Sequence, residues 1–177
     1  MPREQRVSIR TLDGLQLAGT LASPDGPIDR AVVFVHGGGV TREEGGFFTR
    51  LAAGLADAGV ASLRYDLRGH GESEGKQEDS PLTAHLNDIQ VTLDELRELT
   101  GAWQISLLAA SFAGGMAAYY AAQRPDQLAR LILFNPLLDY QNRFIDQKPY
   151  WFDDFIDEEH ARQLAEVGYV EHSPTFK

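Results

Sequence analysis

The chain has 177 residues, 43% of them hydrophobic, and a formal net charge of −10, which suits one globular domain and disfavours binding to nucleic acid or to an anionic membrane. It contains no cysteine, which excludes disulfides and thiolate metal sites. No stretch is apolar over the roughly 20 residues of a membrane span, and the N-terminus lacks the apolar core of a signal peptide, so we expect a cytoplasmic protein.

Strand and helix patterns alternate from the N-terminus onward. The sequence VSIRTLDGLQLAGTLASP (7–24) predicts two antiparallel strands joined at Asp13-Gly14, a dipeptide typical of tight hairpins. The run AVVFV (31–35) predicts a strand buried on both faces of a parallel sheet. Apolar residues at helical spacing between Phe47 and Ala58 predict a helix that ends at Gly59.

The alternation continues through the second half of the chain. A further helix is expected to begin with Ser80 as its N-cap and Pro81 as its first residue. The other expected elements are strands in VASLRYDL (60–67), WQISLLAA (103–110) and LARLILFNPL (128–137), and a helix in FAGGMAAYYAAQ (112–123). The pattern predicts an α/β fold: a mostly parallel sheet with an antiparallel N-terminal hairpin and helices on both faces.

The stretch LLAASFAGGM (107–116) places Ser111 where a buried strand meets a helix. In an open α/β sheet this is the carboxyl end of a strand, the edge where ligands bind. A sharp turn there strains the residue at its apex and requires small neighbours two residues away, which Ala109 and Ala113 are. The usual pattern, G-x-S-x-G, has glycine at both places, so this stretch is a degenerate form of it. Ser111 is therefore either a catalytic nucleophile or a helix cap.

The sequence HGGG, His36 to Gly39, follows the strand 31–35 directly. Glycines let backbone N–H groups point into a site, and a tetrahedral intermediate of acyl transfer needs two such donors. We expect the amides of Gly38 and Phe112 to be this pair. A flexible loop or a phosphate cradle is the alternative, although G-x-G-x-x-G is not present. The histidines show no metal-ligand spacing, so neither a metal nor a cofactor is expected.

Three stretches, VFVHGGG, YDLRGHGESEG and LLAASFAGG, occur in this order. With them the chain resembles the α/β-hydrolase superfamily over residues 6–138, and within it the cinnamoyl and feruloyl esterases, the monoacylglycerol lipase-like enzymes and the serine aminopeptidase-like proteins. The resemblance implies that Ser111 is the nucleophile of an esterase that cleaves a carboxylic ester or thioester of a small acyl or aromatic substrate through an acyl-enzyme. It also implies that the loop holding His70 is structural.

In this family the acid and the histidine that complete the triad follow later strands, so the resemblance implies that both lie beyond Lys177. No apolar strand follows LILFNPL, so residues 1–138 are expected to form a core that lacks its last strands, and 139–177 to begin a cap. Asp139 is either an acid or a turn residue, and His160 and His172 are expected at the surface. We expect a fragment of a longer chain; the alternatives are an enzyme completed by a complementing C-terminal chain, or a non-catalytic binding protein. A homodimer is also compatible with the sequence.

Aromatic residues are concentrated after the last predicted strand, where Tyr140, Phe144, Tyr150, Trp151, Phe152 and Phe155 fall within sixteen residues. They either line a pocket for an aromatic or acyl-chain ester or pack the cap onto the core. Trp151 and Phe152 are the candidate substrate-binding residues.

Overall fold

A computed structural model describes residues 3–146 and 158–167. Its strands are β1 (Arg3–Arg10), β2 (Gln16–Ser23), β3 (Arg30–Val35), β4 (Ala61–Tyr65), β5 (Gln104–Ala110) and β6 (Leu131–Phe134). Its helices include α1 (Phe47–Asp57), α2 (Leu82–Thr100), α3 (Ala113–Gln123) and α4 (Glu158–Val167). The six strands form one sheet in the order β1-β2-β4-β3-β5-β6.

The antiparallel hairpin predicted at Asp13-Gly14 is confirmed. Strands β1 and β2 pair from Arg10 opposite Gln16 to Arg3 opposite Ser23. Gly14 has φ +93°, a conformation that costs glycine little. Strand β1 begins at Arg3 rather than at Val7, because its first four residues pair through their backbone while their side chains stay exposed and show no hydrophobic pattern.

The remaining sheet is parallel, as predicted. Strand β3 lies between β4 and β5 and is parallel to both, and β5 is parallel to β6. All of β4, and every residue of β3 and β5 except the first, is buried. Because parallel strands end at the same edge, the loops after β3, β4 and β5 meet there.

Helices cover both faces of the sheet, which confirms that prediction. On one face, α2 and α3 enclose the larger core cluster, which includes Leu63, Leu93, Leu107 and Tyr120. On the other face, Phe48 and Ala52 of α1 pack against side chains of β3 and β5.

The predicted start of α2 is wrong by one residue. The helix begins at Leu82, and Pro81, with ψ 154°, is its extended N-cap. The Ser80 hydroxyl does not cap the helix, because it donates a hydrogen bond to the Lys76 carbonyl at 2.5 Å.

In the described ranges, no helix is both long and apolar enough to cross a membrane. Strand β6 lies at one edge of the sheet and is only half-buried, with Phe134 39% exposed. After β6, residues 158–167 form the helix α4.

Candidate active site

Ser111 forms the turn between β5 and α3, where the sequence placed it. Its φ of +46° lies in the left-handed region, which a residue with a Cβ rarely adopts. Ala109 and Ala113, two residues to either side, are completely buried, whereas Ser111 is exposed. No side chain caps α3, so the alternative that Ser111 is a helix cap is wrong. Strain at an exposed serine is typical of a functional site.

The HGGG loop faces this turn. Gly37 is buried, and a Cβ atom on it would lie 3.1 Å from the Ser111 Cβ. The Gly37 amide donates to the Glu44 carboxylate at 2.7 Å, and the Gly39 amide makes a long contact of 3.4 Å with His70 Nε2. Within residues 3–146 and 158–167, the Gly38 amide has no hydrogen-bond partner. Of the three glycine amides, that of Gly38 is therefore the one free to bind a ligand.

His36 links the HGGG loop to the loop after β4. Its Nε2 accepts a hydrogen bond from the Leu67 amide at 2.9 Å, so Nδ1 carries the proton and donates to the Gly37 carbonyl at 2.7 Å. Burial lowers the pKa of His36 to about 4. The imidazole is therefore neutral at pH 7 and acts as a structural link between two loops.

His70 has a similar environment. Its Nδ1 lies 3.1 Å from the Arg68 carbonyl and its Nε2 faces the Gly39 amide. The ring is buried and lies edge-on to the ring of His36, with centroids 5.2 Å apart. Burial lowers the pKa of His70. These contacts occupy both ring nitrogens, consistent with the structural role that the resemblance implied for this loop.

A third buried histidine, His85 on α2, was missed in the sequence. It lies on the apolar stripe of the helix, three residues after Leu82 and four before Ile89, and this spacing could have indicated its burial. Its ring contacts the ring of Phe112 edge-on, with centroids 6.4 Å apart. Burial lowers its pKa to about 4, and its Nδ1 has no partner among the described residues.

Asp66, at the end of β4, is completely buried and holds two loops in place. Its Oδ1 accepts the Arg42 amide at 2.7 Å, and its Oδ2 accepts the Glu72 amide at 2.9 Å. The Arg42 guanidinium forms ion pairs with both Asp66 and Glu72. The motif DLRGHGES thus begins with a buried carboxylate that fixes the loops holding Arg42 and Glu72.

Arg68 in the same motif connects three elements. Its guanidinium binds the buried Asp88 carboxylate of α2 through two hydrogen bonds of 2.7 Å. It also donates to Asp13 in the hairpin turn at 2.9 and 3.1 Å. These bonds hold the pKa of Asp13 well below its usual range.

Asp139 lies just before the helical residues 140–146 and caps them, a local structural role close to that of the predicted turn residue. Its Oδ1 accepts the Asn142 amide at 2.8 Å, and its carbonyl accepts the Arg143 amide at 3.1 Å. The candidate substrate-binding residues Trp151 and Phe152 lie outside the described residues, as does His172. The backbone of His160 lies in α4.

An apolar cavity of about 410 Å³ lies along α2 and α3, and Gly115, four residues after Ser111, is part of its lining. Its lining residues come from the start of α2, the first half of α3 and the segment after β6; they are Leu82, Thr83, Leu86, Gly115, Met116, Tyr119, Leu138 and Tyr140. In the described part of the chain, no three His, Asp or Glu side chains are grouped as a metal site.

The chain is similar to known proteins of one family. Residues 26–165 match the model of the Hydrolase_4 family, described as serine aminopeptidase S33, and the chain belongs to this family of α/β hydrolases. It is 29% identical to human monoglyceride lipase over 140 residues, 78% of this chain and 45% of the lipase. It is 34% identical to lipase LipV of Mycobacterium tuberculosis over 115 residues, 64% of this chain and 39% of that protein.

Among solved structures, the chain is similar to Est1E of Butyrivibrio proteoclasticus, which was solved with bound ferulic acid. The TM-score is 0.69 with 29% identity, over 75% of this chain and 53% of the other. The chain thus spans about half the length of the proteins it matches, or less.

Proposed function

We propose that the protein is a serine esterase with Ser111 as its nucleophile. The observation that carries the proposal is the exposed, left-handed Ser111 at the end of β5, facing the HGGG loop. A hydroxyl presented on such a strand-to-helix turn has room for an acyl carbonyl to approach. The lipases and esterases among the relatives support ester hydrolysis as the reaction class.

In this mechanism, Ser111 Oγ attacks the ester carbonyl and loses its proton to a general base. The carbonyl oxygen becomes an oxyanion, which the amides of Gly38 and Phe112 bind. Collapse of the tetrahedral intermediate expels the alcohol, which takes up the proton, and leaves an acyl-enzyme. Water then attacks the acyl group, releases the acid and restores the Ser111 hydroxyl.

The general base is proposed to be a histidine outside the described side chains. His36 and His70 use both ring nitrogens, and the pKa of His85 is near 4, too low for a base that works at neutral pH. The remaining histidines of this sequence are His160 and His172. His160→Ala and His172→Ala variants of the complete protein test whether either is the base.

The proposed substrate is a small-molecule ester with an apolar acyl or aromatic group. The cavity between α2 and α3 supports this class, since its walls are mainly apolar and it adjoins the helix that begins after Ser111. Trp151 and Phe152 remain candidates for further substrate contacts.

Steady-state hydrolysis of p-nitrophenyl esters by the complete protein tests the proposal. Ser111→Ala should abolish turnover, while the control Ser8→Ala, at an exposed serine of β1, should retain it. Turnover by Ser111→Ala at the wild-type rate would refute the nucleophile.

A comparison of acetate with longer acyl esters tests the cavity. Leu82→Trp should lower kcat/KM for the longer esters, because Leu82 lines the cavity. Leu99→Trp is the matched control, at an equally exposed leucine near the other end of α2. Equal effects of the two variants would show that the cavity does not bind the acyl chain.

A further inference from the structure

The chain that leaves β6 lies directly on the Ser111 turn. The Ser111 amide donates a hydrogen bond to the Phe134 carbonyl at 3.0 Å. The Ser111 carbonyl accepts one from the Leu137 amide at 2.8 Å and one from the Gly114 amide at 2.9 Å. Residues 134–137 therefore hold both backbone polar groups of Ser111. We call residues 134–140, which end with Leu138, Asp139 and Tyr140, the brace.

The bonds to the Ser111 carbonyl also orient the Phe112 amide. The carbonyl of Ser111 and the N–H of Phe112 belong to one planar peptide unit, so holding one end of that plane sets the direction of the other. Hydrogen bonds accepted at the carbonyl also polarise the peptide and strengthen its N–H as a donor. The brace thus acts on the group proposed to bind the oxyanion.

Tyr140 holds the next peptide unit. Its hydroxyl donates to the Phe112 carbonyl at 2.5 Å and accepts from the Met116 amide at 3.1 Å, so it contacts both ends of the first turn of α3. Its ring lies edge-on to the ring of Phe112, with centroids 5.6 Å apart. Burial raises the pKa of Tyr140, so the hydroxyl keeps the proton that it donates.

Two glycines make this close approach possible. A Cβ atom on Gly114 would collide with the Cβ of Pro136, and one on Gly115 would lie 2.6 Å from Tyr140 Cε2 and 2.8 Å from the Leu137 carbonyl oxygen. Neither glycine has a positive φ, so their lack of a side chain serves contact with the brace rather than backbone freedom.

We propose that Tyr140 is a positioning residue, whose hydroxyl fixes the peptide unit after Phe112 and so, together with the Leu137 bond to the unit before it, aligns the Phe112 amide for stabilisation of the oxyanion. The inference rests on the proposed function, since it assigns a role within the same reaction. The brace lies where the chain leaves β6 and the core. The same hydrogen bonds therefore hold both this part of the chain and the proposed oxyanion site.

Tyr140→Phe in the complete protein removes the hydroxyl and keeps the ring. We expect kcat to fall about tenfold with KM nearly unchanged, because loss of alignment weakens binding of the transition state more than of the substrate. Affinity for a boronic acid, whose tetrahedral adduct imitates the intermediate, should fall by a similar factor. Tyr120→Phe is the control, because it removes from the same helix a hydroxyl that contacts Gln90 and Gln127 instead of Phe112, and it should leave kcat and boronate affinity unchanged.

Gly115→Ala tests the brace by a second route. The added Cβ should push Tyr140 and Leu137 away and lower kcat at least as much as Tyr140→Phe. Gly54→Ala is its control, because a Cβ on Gly54 of α1 meets nothing within 4 Å. Should near-UV circular dichroism show that Tyr140→Phe is misfolded, Gly115→Ala decides the question.

The outcomes separate the two proposals. If hydrolysis does not depend on Ser111, the proposed function itself fails. If hydrolysis depends on Ser111 but a folded Tyr140→Phe keeps the wild-type kcat and boronate affinity, the positioning role of Tyr140 is wrong. Equal losses of kcat and of substrate affinity would show a general structural role and would also overturn it.

Discussion

Gly37 faces Ser111 so closely that a Cβ atom on residue 37 would lie 3.1 Å from the Ser111 Cβ. This spacing is tighter than ordinary van der Waals contact, so a side chain at residue 37 would require the HGGG loop or the Ser111 turn to shift. The two loops come from β3 and β5, which are neighbours in the sheet. Their register places the proposed nucleophile beside the proposed donor loop.

Gly37→Ala should therefore displace one loop from the other by a few tenths of an ångström. We expect kcat/KM for p-nitrophenyl acetate to fall by about tenfold or more, because small misplacements at a reacting centre are costly. Gly54→Ala should show the wild-type value. A fully active Gly37→Ala variant would mean that this contact does not matter for the reaction.

The left-handed φ of Ser111 predicts that activity is gained at the expense of stability. Ser111→Gly should be more stable than Ser111→Ala by about 1 kcal/mol, since a Cβ in this conformation costs roughly that much. At Ser8 the order should reverse, because glycine in a strand loses more conformational entropy than alanine. Urea denaturation of the four variants measures both differences, and the same order at both positions would contradict this account.

Asp66 is expected to be a structural carboxylate rather than a reacting one. Asp66→Asn removes the charge opposite the buried Arg42 and replaces an acceptor of the Glu72 amide by a donor or a weaker acceptor. The free energy of unfolding should fall by about 3 kcal/mol, as for other broken buried ion pairs. Asp79→Asn, at an exposed aspartate, should change it by less than about 0.5 kcal/mol. Similar unfolding free energies for the two variants would refute the structural role.

The buried histidines predict a loss of stability in mild acid. His36 and His85 have pKa values of about 4 in the folded protein, below the value of about 6.5 that the unfolded chain should show. The unfolded state therefore binds more protons between these values. Stability is fully present above about pH 6.5 and falls as the pH drops toward 4, by up to about 1.4 kcal/mol per pH unit for each group.

Burial also lowers the pKa of His70, so at least three histidines contribute, and His85→Leu should remove one of these contributions. The slope of the unfolding free energy between pH 4.5 and 6 should fall by up to about 1.4 kcal/mol per pH unit, and at pH 5 the variant should be more stable than the wild type because it also removes an unpartnered buried nitrogen. Urea denaturation at several pH values measures this slope. An unchanged slope would show that His85 is not buried in its neutral form.

Much of the fold could be predicted because local patterns and tertiary structure agree. The Asp13-Gly14 turn, the β-branched run of β3 and the small residues around Ser111 each specify one local conformation, and the structure has each of them. The beginning of β1 could not be predicted, since its charged residues show no hydrophobic alternation and are held by backbone pairing and by long-range ion pairs such as that of Glu4 with Arg64.

The supports of the candidate site were harder to predict. Asp66 and Arg42 are 24 residues apart, and Tyr140 reaches Phe112 across 28 residues, so no local pattern reveals either pair. Gly114 and Gly115 likewise contact Pro136 and Tyr140, which are more than 20 residues away in the sequence. Such contacts depend on how β6 returns to the edge of β5, which sequence periodicity does not encode.

Covalent labelling of the complete protein with a fluorophosphonate, followed by mass spectrometry of its peptides, tests Ser111 as the nucleophile directly. We expect one adduct, on the peptide that contains Ser111, with displacement of fluoride by Ser111 Oγ. Ser111→Ala should not be labelled, and prior incubation with a boronic acid should slow labelling of the wild type. An active protein that is labelled at a different residue, or that hydrolyses esters without any labelling, would contradict the assignment of Ser111 as the nucleophile.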